Sequence, residues 1–213
     1  MAGFRGEFDR ELEAIEAKVV ELFAMIGEDV PVATRALLGG NSEMVPVLAE
    51  REQVIDALYR EVEGLAARAV LLQAPVASDL RFLLSVLRVV PELERSHDLV
   101  MQIASRAGRV RGEDLSPRGR GLVEQTRQLA ADMWRMAADS WYQRDRTATS
   151  ALGERDEKMG ELHASLTAEL AAGRMTLPVT MEMTLVAHCY ERLGAHAVNI
   201  ARRVTYLAGP AAA

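Results

Sequence analysis

ELERSHDLVMQIA, residues 92–104, and CYERLGAHAVNIA, residues 189–201, are two versions of one helix. Glu94-Arg95 aligns with Glu191-Arg192, and Ile103-Ala104 with Ile200-Ala201, at a single offset of 97 residues. In that frame His97 meets Gly194 and Asp98 meets Ala195. Self-similarity at a fixed offset is the mark of internal duplication. A second register supports it: Glu50-Arg51-Glu52 aligns with Glu154-Arg155-Asp156, and Leu58 with Leu162, at an offset of 104. The seven-residue difference predicts a shorter helix connection in the second copy, GRMTLPV against QAPVASDLR.

Outward from these stretches, apolar residues recur every three or four positions, the period of an amphipathic helix. Phe4, Phe8, Leu12, Ile15, Val19, Leu22, Phe23 and Ile26 form the first stripe, which runs past Pro31 to the break at Gly39-Gly40-Asn41. A second helix is expected to start behind Ser42 and run to about Leu72. Pro75 then forces a turn, and Ser78 or Asp79 is expected to cap a third helix reaching about Arg106. Residues 108–121, GRVRGEDLSPRGRG, read as a linker that ends in a Ser116 cap and Pro117 at the first helical position. Helices over about 117–144, 147–172 and 176–207 follow, and no strand alternation appears. The expected fold is all-α: two tandem three-helix bundles, over residues 1–109 and 110–213.

The chain's 213 residues and 49% apolar content suit a buried core. A net charge of −6 argues against general nucleic-acid binding, which needs a basic face. Cys189 is the single cysteine, so no internal disulfide forms, and the charged N-terminal turns lack a signal-peptide pattern. A cytoplasmic protein is expected.

The chemistry lies in acids on core-facing stripes. Glu94 and Asp98 stand one turn apart on the third helix, and Glu52 and Asp56 one turn apart on the second. A carboxylate pushed toward a core must be paired, protonated or cation-bound. Two readings stay open: solvated acids paired with Arg51, Arg60 or Arg95, or two helices enclosing a cation with oxygen ligands. Glu94-x-x-His97 has the spacing of a di-iron ligand pair, but Gly194 breaks its repeat. No phosphate loop, nucleophile elbow or Cys/His cluster is present. Trp134 and Trp141, seven apart, suit packing, and Trp141-Tyr142 alternatively an interface.

LLQAPVASDLR (71–81) followed by ELERSHD (92–98), and later ERLGAHAVNIARRVTYLAG (191–209), closely resemble the PhoU family of phosphate-uptake regulators. The resemblance covers essentially the whole chain. It implies two three-helix bundles, a homodimer and no catalysis. It further implies negative regulation of phosphate uptake and of the phosphate-starvation response. The implied partners are the phosphate ABC transporter ATPase and its sensor histidine kinase, with peripheral association at the inner membrane through them. Glu94 and Asp98 match the family's metal motif, and Glu52 and Asp56 match the acids on the preceding helix. His97 replaces the family's glycine; in the second half Ala195 replaces the motif aspartate and Gly160 stands opposite Asp56. Asp156 and Glu191 are the remaining acids there. A divalent or trivalent cation (Mg, Mn or Fe) is therefore expected in the first bundle only. Alternatives are a carboxylate-bridged metal-binding or storage protein, and a dimeric scaffold without metal.

Overall fold

The apolar stripe that opens the chain folds as one helix, α1 (Ala2–Gly39), which continues through Pro31. In this computed structural model residues 2–209 are described, with side chains from residue 6 onward; the outer ends of the two expected bundles, residues 1 and 210–213, lie outside them. Leu22, Ile26, Val30, Ala33 and Leu37, one turn apart, are fully buried. Five more helices follow: α2 (Met44–Gln73), α3 (Ala77–Ala104), α4 (Pro117–Gln143), α5 (Ala148–Ala171) and α6 (Leu177–Leu207). No strand ladder forms among the described residues.

α1, α2 and α3 pack on one another, as do α4, α5 and α6. The two sets meet along α1–α4 and α3–α6, so one apolar core runs through all six helices. Trp134 and Trp141 of α4 are buried in that core beside Phe23, and the Trp134 indole N–H donates to the Phe23 carbonyl at 3.0 Å. Burying such side chains contributes roughly 1.5–3 kcal/mol each. The tryptophans are packing residues; Trp141 offers nothing to an interface, whereas its neighbour Tyr142 is exposed.

Two expectations about helix ends change and a third holds. Ser42 does not cap α2: the Asn41 side chain instead accepts from the Glu43 N–H at 2.9 Å. Neither Ser78 nor Asp79 caps α3, which starts behind Val76 with no side-chain cap. The tight turn before it places Ala74 and Ala77 at φ +46 and +48, a left-handed conformation that costs an alanine roughly 1–2 kcal/mol. Ser116 does cap α4, accepting from the Gly119 N–H at 2.9 Å.

The offset difference between the copies also has a different origin. The α5–α6 connection is no shorter than α2–α3; α5 has 24 residues where α2 has 30. The helix itself was trimmed. Residues 108–116 are pinned rather than loose. Gly112 lies so close to α1 that an added Cβ would stand 2.6 Å from the Leu38 carbonyl oxygen, and Arg120 donates to the Gly112 carbonyl at 3.0 Å.

Candidate functional site

Leu48, Ile55 and Val62 bury one face of α2 against α3, which sets Glu52 and Asp56 half-buried along the seam. From α3, Glu94 is half-buried and Asp98 is exposed. Burial raises the Glu94 carboxyl above its ordinary value, and the charges of Asp98 and Asp56 raise it further. Asp98 is raised by burial first; His97 opposes this and Asp56 adds to it. Asp56, Glu94 and Asp98 therefore share one electrostatic field. Glu52 does not appear in it, and no three His, Cys, Asp or Glu side chains among the described residues converge within reach of one ion. The donors suit a hard cation chemically, as all-oxygen ligands on one seam. As placed, they form a shared negative field rather than a closed coordination shell.

Two of the arginines named as partners, Arg95 and Arg51, turn elsewhere. Arg95 lies 3.8 Å from Glu92, though its charge still favours the ionised form of Glu94. Arg51 points to α1, with Nε 2.9 Å from Asp29 and Nη2 donating to Glu28 at 3.0 Å.

Asp29 was missed in the sequence. It is 1% exposed, and its second oxygen meets Nε2 of the equally buried His97 at 3.2 Å. A signal was present: Asp29 falls three residues after Ile26 on the core stripe of α1, the same anomaly that marked Glu94. His97 thus ties α3 to α1 and α2 from inside the core. This burial, with Nε2 engaged by Asp29, leaves His97 no part in the di-iron spacing that Glu94-x-x-His97 offers.

In the second half Asp156 on α5 faces Glu191 on α6. Burial raises the Asp156 carboxyl, Arg202 opposes this, and Glu191 adds to it. Glu191 meets His188 at 3.2 Å. Arg202 is thus the cation that opposes the Asp156 charge, while Arg155 donates to the Ala151 carbonyl and Arg192 approaches His196. Gly194, opposite His97 in the duplication, is buried: a Cβ there would stand 3.3 Å from the Met133 methyl and 3.4 Å from the Asp156 carboxylate. Gly160, opposite Asp56, is exposed, with nothing within 4 Å of an added Cβ. Packing therefore explains why no histidine stands at 194; nothing in the structure explains the glycine at 160.

Cys189 is buried and its thiol is raised by burial, so it is held neutral and unreactive. A buried Tyr190 hydroxyl is bonded to Thr34, and its phenol is also raised by burial.

Fold and seam together define a duplicated all-helical bundle protein with two acid-bearing seams of unequal strength. The PhoU domain model matches residues 19–107 and again 123–204, one match in each half. The phosphate-specific transport system accessory protein PhoU homolog of Synechocystis is 30% identical over 207 residues, 95% of this chain and 92% of that one. The homolog of Rhizobium meliloti is 28% identical over 206 residues, 94% and 86% of the two chains. The crystal structure of PhoU from Pseudomonas aeruginosa matches with a TM-score of 0.86 at 26% identity, covering 94% of this chain and 98% of that one. The chain belongs to the PhoU family.

Proposed function

We propose that this protein is a negative regulator of phosphate uptake and of the phosphate-starvation response, acting as an adaptor and not as an enzyme. The observation that carries this is the match over nearly the full length, in both sequence and fold, to phosphate transport accessory proteins. Its partners in this reading are the phosphate transporter ATPase and the sensor histidine kinase, reached from the cytoplasm by a homodimer. No helix among the described residues is long and apolar enough to cross a membrane, which suits recruitment to the inner membrane through those partners. Exposed Leu71, Leu72 and Val76 at the α2–α3 turn, with Leu177, Met181 and Leu185 on the first turns of α6, provide apolar surface for docking. Deleting the gene is expected to switch on phosphate-starvation genes in high phosphate, and purified protein to capture the ATPase and kinase. An unchanged response in a strain with no second copy would sink the proposal.

A second reading concerns the acids. The charge of Asp56 raises the proton affinity of both Glu94 and Asp98, and Asp98 raises that of Glu94, so a hard cation has something to relieve in the first half. In the second half Arg202 already opposes the Asp156 charge, and only Asp156 and Glu191 remain there. We therefore propose a Mg, Mn or Fe ion for the first bundle that would draw Asp56, Glu94 and Asp98 together from positions that do not converge on one ion, with Glu52 contributing only if its side chain also moves. Its signature is a metal response lost with Asp98 and kept without Glu191.

A further inference from the structure

Where the duplicated third helices α3 and α6 cross, they enclose a cavity of about 690 Å³. Arg88 and Arg95 enter it from α3, and Arg202 and Arg203 from α6. Glu92 is the only acid lining it, so the cavity carries three surplus positive charges in a chain whose net charge is −6. That reversal of sign in one concave place sets it apart from the rest of the surface.

The guanidiniums are not consumed by the protein. Arg88 and Arg203 are exposed, with no hydrogen-bond or ion-pair partner among the described residues. Arg202 makes only a long contact to the Asn199 side-chain oxygen at 3.4 Å, besides its field on Asp156. Arg95 stands 3.8 Å from one oxygen of Glu92. The other Glu92 oxygen is buried without a hydrogen bond, 3.7 Å from His196 Nε2, while Ser96 holds the opposite nitrogen of that ring at 2.9 Å. Glu92 is thus drawn between His196 and Arg95 and neutralises at most one of the four cations.

We propose that this cavity is a binding site for a soluble inorganic oligophosphate. Planar guanidinium forks match the oxygens of phosphoryl groups and bind them through charge-assisted, often bidentate hydrogen bonds. Four forks on two helices span more than one phosphoryl group. The rest of the lining, Leu87, Pro91 and the Asn199 amide, has no aromatic ring on which a base would stack, so a nucleotide gains nothing over the bare phosphate chain. Both halves contribute, so the ligand bridges the two copies of the duplication. The assignment rests on this cavity alone and does not depend on the regulatory role above.

The test is calorimetric titration of the full chain with inorganic triphosphate at about 0.1 M salt, where longer-range charge effects are largely screened. Saturable binding is expected, with orthophosphate weaker. Arg88→Ala and Arg203→Ala should each weaken triphosphate about tenfold, the loss expected for one charge-assisted contact. Both side chains are exposed and unpartnered, so both variants should fold as the parent does. Arg60→Ala, an exposed arginine on α2, should leave binding unchanged. Absent triphosphate binding, binding untouched in both cavity variants, or equal weakening in the Arg60 variant would overturn the site. Co-sedimentation with phosphatidylcholine vesicles carrying phosphatidylinositol bisphosphate separates the lipid source. Arginine-dependent capture by vesicles without binding of free triphosphate would also overturn it.

Discussion

α3 and α6 descend from one helix pattern and handle charge in opposite ways. In α3, His97 reaches inward to Asp29 of α1, and that acid reaches Arg51 of α2, so three helices are joined through one buried carboxylate. In α6 the equivalent residue is Gly194, and its space is filled by Met133 and Asp156 from the neighbouring helices. The first half keeps a buried polar network and, beside it, three acids in a common field. The second half closes over the same place by packing. The lost aspartate at Ala195 therefore goes with a different arrangement of charge, in which Asp156 stands against α6 and is opposed by Arg202. Duplication supplied the frame, and each copy solved its own burial problem.

Breaking the ionic half should cost most. Asp29→Ala leaves His97 and Arg51 without their shared carboxylate in the interior, and removing one member of a buried pair costs roughly 3–5 kcal/mol. Urea unfolding should show a loss of that size; a loss near that of a surface substitution would mean the network contributes little.

Forcing one copy to resemble the other should cost less. Gly194→His puts a ring where Met133 and Asp156 already stand 3.3–3.4 Å from a mere Cβ. Overpacking of this kind costs roughly 1–3 kcal/mol. A neutral outcome in the same unfolding assay would mean that α5 and α4 can part cheaply, and that the two halves differ by drift rather than by packing.

The smallest effect concerns protons. The Glu94 and Asp98 carboxyls are raised in the folded state, so the native protein holds these protons more tightly than the unfolded chain does. Their stabilising contribution is then gained as pH falls through the folded values and is lost as pH rises through them, leaving a penalty at neutral pH. Asp98→Asn should relieve it, by about 0.5 kcal/mol or less at pH 7 because the group is exposed to solvent screening. The gain should vanish near pH 4. Equal effects at the two pH values would remove the proton from the explanation.

Much of this architecture is written locally. The stripes of α1 to α6 and the Ser116-Pro117 start of α4 follow from periodicity and capping chemistry. The starts of α2 and α3 were not legible, because Asn41 works from outside the helix and Ala74 and Ala77 take left-handed φ values that alanine does not advertise. The acid stripe was visible on α3, yet its true inward partner, Asp29, lies 68 residues away, and only the packing of α1 on α3 brings it to His97. Likewise Arg88 and Arg203 read singly as ordinary surface charges; the crossing of α3 and α6 makes them one cavity.

The account's central claim is that the two acidic seams are unequal, and metal-dependent thermal unfolding tests it most directly. The parent, Asp98→Ala and Glu191→Ala proteins should be stripped with chelator and then melted with and without manganese. Manganese at about a hundredfold excess over its dissociation constant stabilises a folded site by about 2.7 kcal/mol. The parent and Glu191→Ala should both gain that stability, and Asp98→Ala should not. Equal loss in the two variants, or a parent that does not respond to manganese, would contradict the asymmetry.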